Sequence, residues 1–97
     1  MAKKGYWVVC YQSALDPAVR AAYGAAAGPA IAAAGGRLIA AGRPAKTHES
    51  GTDQTVVLIE FDSVEKAIAA YESDGYKAAL KAFNNAAKRD IRIVEGM

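Results

Sequence analysis

Two short stretches, Tyr6-Trp7-Val8-Val9-Cys10-Tyr11 and Thr55-Val56-Val57-Leu58-Ile59-Glu60-Phe61, are apolar at odd and even positions alike. Their aromatic and β-branched residues read as strands. Successive side chains of a strand point to opposite faces. The first stretch therefore sets Trp7, Val9 and Tyr11 on one side and Tyr6, Val8 and Cys10 on the other. The second divides into Val57, Ile59 and Phe61 against Val56, Leu58 and Glu60. A sheet with one wet face alternates apolar and polar residues. These strands do not, so both faces of their sheet need a cover.

The segments between them say what covers one face. Asp16-Pro17 is a helix start, with an oxygen to accept free amide protons and a proline at a position whose N–H has no partner anyway. Val19, Tyr23, Ala26, Ala27, Ala30, Ile31 and Ala34 then recur at three and four residues. Gly28-Pro29 is expected to kink this helix and Gly35-Gly36 to end it. Gly24 and Gly28, spaced G-x-x-x-G, imply a close backbone approach. Arg37 to Ala41 reads as a second strand, and the polar stretch from Gly42 to Asp53 as a loop. After the Thr55–Phe61 strand, Asp62-Ser63-Val64-Glu65 has capping-box spacing, with Asp62 as cap. The helix that follows is broken at Ser73-Asp74-Gly75 and resumes from about Tyr76, with Ala79, Leu80 and Phe83 aligned. Ile91 to Val94 is a short last strand, and Glu95-Gly96-Met97 a tail.

The order is β-α-β-β-α-β with the second helical region split, which is an α+β, ferredoxin-like arrangement of a four-stranded, antiparallel-type sheet with helices on one face. Strands joined through helices favour parallel pairing, while the middle two can pair antiparallel. Helices on one side leave the other face bare, and soluble monomers rarely expose so large an apolar patch. A homodimer that packs two sheets face to face is the expected closure. The alternative cover is the loop 42–53 or the C-terminal tail folded over the face.

Composition narrows the function. The chain has 97 residues, enough for one domain spanning 1–97. Alanine accounts for 23 of them, which leaves a small core. Lysine and arginine total 12 against 10 acids, and they are scattered, so no basic stripe marks a nucleic-acid partner. The longest run of large apolar residues is Tyr6 to Tyr11, too short for a membrane span. Cys10 has no cysteine to pair with and reads as a small buried hydrophobe. Without a signal segment or paired cysteines the expected location is the cytoplasm.

Several further pieces occur in order: Lys4-Gly5-Tyr6-Trp7, Asp16-Pro17, Gly35-Gly36-Arg37, Val57-Leu58-Ile59-Glu60-Phe61, Tyr71-Glu72-Ser73-Asp74-Gly75-Tyr76 and Ile93-Val94-Glu95-Gly96. Together they resemble the small, mostly bacterial family catalogued as domain of unknown function 1330, over nearly the whole chain. The resemblance implies the ferredoxin-like fold of the dimeric α/β-barrel superfamily. It implies no activity, since that superfamily includes cofactor-free monooxygenases, muconolactone isomerases, haem-binding enzymes and proteins without known catalysis.

Few residues offer chemistry. His48 is the only histidine and could act as a base near neutral pH, or be a solvated loop residue. It is too little for a metal site, and a lone axial haem ligand is its remotest use. Glu60, among apolar neighbours, would have a raised pKa suited to acid–base work if desolvated, or would pair with Arg37 or Arg92. Arg37 could instead hold a substrate carboxylate. Trp7, Tyr11, Tyr23 and Tyr71 either line a cleft between sheet and helices or interlock as core. Two functions follow: a homodimer that binds or transforms a small apolar molecule without a cofactor, and a non-catalytic dimeric structural or interaction protein.

Overall fold

The computed structural model describes residues 3–97. Strand β1 (Gly5–Tyr11) leads into α1 (Pro17–Ala33), β2 (Arg37–Gly42), β3 (Val56–Phe61), α2 (Val64–Tyr71), α3 (Asp74–Phe83) and β4 (Arg89–Glu95). The sheet order is β2-β3-β1-β4. Every neighbouring pair is antiparallel, so the expected parallel pairing of helix-joined strands is absent among the described residues. β1 and β2 do run in the same direction, but β3 lies between them. β1 likewise separates β3 from β4. This is the split βαβ geometry of the ferredoxin-like fold.

The register explains why β1 is apolar on both sides. As a central strand it sets Trp7 opposite Ile59 of β3 and Ile93 of β4, and Val8 opposite Leu58. The odd-numbered face is buried under the helices, where Trp7, Val9, Tyr11, Ile59 and Phe61 join Ala67, Ala70, Tyr76, Ala79 and Phe83. The Trp7 indole N–H donates to the carbonyl of Ala67 at 2.8 Å, which ties α2 to the sheet. α1 packs chiefly along α3.

Local chemistry sets the helix ends. The Asp16 carboxylate accepts from the Ala18 N–H at 2.8 Å, and α1 continues through Pro29. Gly35 follows at φ +88°, a conformation that glycine takes without a steric penalty. The cap of α2 is Ser63, whose hydroxyl accepts from Lys66 N–H, and not Asp62 as the capping-box spacing suggests. Asp62 is instead held by Arg37 and Lys4, at 3.0 and 3.3 Å. Ser73 caps α3 in the same way, two residues earlier than expected.

The even-numbered face of the sheet has no helix on it. Tyr6, Val8, Cys10, Val56 and Leu58 stay half-buried there, and Val94 is 49 % exposed. Cys10 is thus not in the core. The C-terminal tail does not fold across this face, because the Gly96 N–H donates to Lys4 O at 2.7 Å and extends β4 alongside β1. Among the described residues no helix is long and apolar enough to cross a membrane.

Candidate functional site

Because α1 packs on α3, the space between α1 and the sheet is not filled by side chains. A cavity of about 670 Å³ lies there, bordered on the sheet side by Val57, Leu38 and Ala41 and on the helix side by Gly24, Gly28 and Ile31, with Trp7, Val9 and Ile59 almost wholly buried beneath it. A Cβ built on Gly24 or Gly28 would meet nothing within 4 Å. The close approach expected of the G-x-x-x-G spacing is therefore not made, and the two glycines hold space open. Leu38, on the inner side of edge strand β2, lies beyond the reach of α1; it is 65 % exposed at the mouth.

Polar groups converge at one end. The Arg89 guanidinium donates to the hydroxyls of Tyr11 and Tyr23 at 3.1 and 3.2 Å, and to that of Tyr76 at 3.2 Å. The Tyr23 and Tyr76 hydroxyls share a further hydrogen bond of 2.5 Å. The guanidinium carbon sits 4.0 Å from the Phe83 ring centroid and 4.9 Å from that of Tyr23, within cation–π range. Burial pushes the Tyr76 and Tyr11 phenols up, so both stay protonated at neutral pH. Burial is the largest single influence on Arg89 and works against its charge, but the hydrogen bond to Tyr23 and the surrounding oxygens of Tyr23, Tyr76 and Tyr11 together outweigh it, so the guanidinium pKa is raised.

The residues singled out in the sequence part company here. Trp7, Tyr11 and Tyr23 come together around the cavity. Tyr71 packs edge-on to Trp7, centroids 5.9 Å apart, but faces a separate depression of about 360 Å³ between α2, α3 and β4. Arg37 and Glu60 lie on the opposite, helix-free face. There Arg37 Nε donates to Glu60 Oε1 at 3.1 Å, and the Tyr6 hydroxyl donates to Oε2 at 3.0 Å. The hydrogen bond from Tyr6, and then that from Arg37, hold the Glu60 carboxyl below its ordinary range. The raised pKa expected for Glu60 is thus replaced by the ion-pair alternative. His48 is exposed in the loop between β2 and β3 and does not line the cavity. No carboxylate or imidazole lines it among the described residues, and no group of three or more potential metal ligands occurs among them.

Sequence reading missed Arg89 and Tyr76. The signal for Arg89 was parity: it stands two and four residues before Ile91 and Ile93 and shares their face once β4 starts at Arg89. Tyr76 was recognisable as a core position, and at 1 % exposure it is one. Its hydroxyl reaches the cluster only because α3 lies against α1.

A family described as Domain of unknown function (DUF1330) matches residues 4–97. No curated protein matches the sequence. Among solved structures, a protein of unknown function from Rhodopseudomonas palustris is 17% identical with a TM-score of 0.73, over 100% of this chain and 85% of that one. A dimeric protein of unknown function and ferredoxin-like fold from Bacteroides fragilis is 13% identical with a TM-score of 0.61, over 96% of each chain. SnoaB, a cofactor-independent oxygenase from Streptomyces nogalater, is 15% identical with a TM-score of 0.62, over 99% of this chain and 95% of that one.

Proposed function

This chain belongs to the family Domain of unknown function (DUF1330), and from that premise we propose that it is a homodimer whose cavity under α1 takes up a small, largely apolar molecule, binding it or transforming it without a cofactor. One observation carries the reading: a 670 Å³ space, walled by aromatics and kept open by glycine and alanine, in a chain too small to leave such room idle. Binding has the stronger support, since among the described residues the lining holds no carboxylate or imidazole to move a proton. The Streptomyces nogalater relative, a cofactor-independent oxygenase, is the precedent for chemistry without a cofactor on this scaffold.

The dimer rests on the helix-free face. Val8, Cys10, Val56 and Leu58 form its apolar centre, and among the described residues no helix packs on it. A second copy covers that patch with an identical one, the self-complementary closure of twofold symmetry. The Bacteroides fragilis relative is dimeric, in keeping with this. Light scattering at micromolar concentration should give twice the 10.1 kDa chain mass. Val8→Arg should halve it, and a monomeric wild type would refute the dimer.

The uptake is tested by calorimetry with neutral bicyclic aromatics such as 2-naphthamide, against the wild type and Gly24→Leu. Binding to the wild type that Gly24→Leu abolishes is the expected result. No binding to the wild type of 2-naphthamide or of the acids 2-naphthoate and benzoate, or equal binding to both proteins, would favour the non-catalytic structural reading.

A further inference from the structure

Donors cluster at the Arg89 end of the cavity, and no carboxylate lines it among the described residues; that asymmetry points to what it takes. Arg37, Arg43 and Arg92 each pair with an aspartate or glutamate. Arg89 pairs with none among the described residues; its partners are three phenol oxygens and the faces of aromatic rings. The phenols accept from Arg89, so each still has its own proton to give. One of those protons is used between Tyr23 and Tyr76. The other two, that of Tyr11 and that of whichever of Tyr23 and Tyr76 accepts in the pair, have no acceptor among the described residues. A half-buried, always-charged guanidinium and two idle hydroxyl donors meet at the end of an apolar space.

Desolvating a cation without a counter-charge is costly, and ring faces offset only part of that cost. The counter-charge the protein does not supply is one a ligand can bring. Arg43 in the lining is neutralised by Asp53, but Arg20, which also lines the cavity, has no ion pair among the described residues and adds a second positive charge that favours an anion. Resting on the reading that the cavity binds a small molecule, we infer that the ligand is a cyclic or aromatic acid whose carboxylate sits on Arg89 beside the Tyr11 hydroxyl, with its apolar ring under Gly24 and Gly28. Val57, Leu38 and Ile31 are the accessible apolar side chains that would meet that ring. Ligands of the same shape without the acid group gain the ring contacts but leave the guanidinium unpaired.

The test compares 2-naphthoate with its neutral analogue 2-naphthamide by calorimetry, with benzoate as a smaller acid. The variants are Arg89→Met, Tyr11→Phe and Gly24→Leu. Charge-assisted hydrogen bonds imply that the wild type should prefer the acid by about 10- to 100-fold. Arg89→Met should abolish that preference while naphthamide binding stays. Tyr11→Phe keeps the charge and the ring, and should cost the acid about 3- to 10-fold and the amide almost nothing; it answers the question even if Arg89→Met fails to fold. Equal affinity for acid and amide would overturn the anion inference and leave the cavity reading standing. A preference that survives in both Arg89→Met and Tyr11→Phe would overturn the assignment to this cluster. Failure of both acids to bind at millimolar concentration while the amide binds would overturn the inference alone; failure of all three would overturn the cavity reading with it.

Discussion

Gly24→Ala isolates the claim that α1 roofs an empty space. Gly24 lies in the interior of the 17-residue helix α1. Alanine is more favourable than glycine in a helix interior by about 0.8–1 kcal/mol. A clash would cancel that gain, but here a Cβ would meet no atom within 4 Å. The substitution should therefore stabilise the protein by about 1 kcal/mol, a rise in Tm of about 4–8 °C for a domain of this size. Calorimetric or circular-dichroism melts at fixed protein concentration measure it. The same methyl shortens the space under the helix, so affinity for 2-naphthamide should fall as stability rises, and fall further in Gly24→Leu. Gly28→Ala is a poorer probe, because a residue with a Cβ before Pro29 is disfavoured in helical conformation. If Gly24→Ala lowers Tm, the space is filled by something and the cavity does not exist as described.

Two further substitutions probe the frame around the site. A Cβ on Gly5 would lie 2.5 Å from the Ser63 carbonyl oxygen and 2.8 Å from Val64 Cα, both backbone atoms that cannot swing aside. Gly5→Ala should thus destabilise by at least about 1–3 kcal/mol in chemical denaturation, and a neutral result would refute the tight β1–α2 entry. Tyr6→Phe removes the hydrogen bond that does most to hold Glu60 low, so the Glu60 carboxyl should titrate nearer its ordinary range by NMR. A depressed folded-state pKa contributes stability above the unfolded value, about 4.3, that is lost as pH falls through the folded one. Denaturation of Tyr6→Phe should accordingly show a weaker pH dependence across the acidic range than wild type, and an unchanged profile would count against the pairing.

The strands and helices were legible because their signals are local. Runs of β-branched and aromatic residues, proline at the start of α1 and glycine at its end act through backbone sterics within a few residues. Neighbouring caps were harder: Asp62 and Ser63 are both good capping residues, and the choice fell to Ser63 because Arg37, distant in sequence, holds Asp62. The same limit governed Glu60. Its apolar neighbours in sequence suggested desolvation, but across the sheet it lies opposite Tyr6 and Arg37, so the carboxylate is paired and its pKa falls. A pairing partner is a property of strand register.

By itself the sequence determined that this chain forms a ferredoxin-like sheet with apolar residues on both faces, because continuous runs of Val, Ile and aromatic residues read as strands buried on both sides and the β-α-β-β-α-β order sets them in one sheet. Tertiary structure alone decided where the site is. Arg89 closes the chain's last β-α-β crossover, and Tyr11, Tyr23 and Tyr76 come from β1, α1 and α3. No spacing along the chain encodes their meeting. It follows from α1 packing on α3 rather than on the sheet, and that packing also leaves the space beneath Gly24 and Gly28 open.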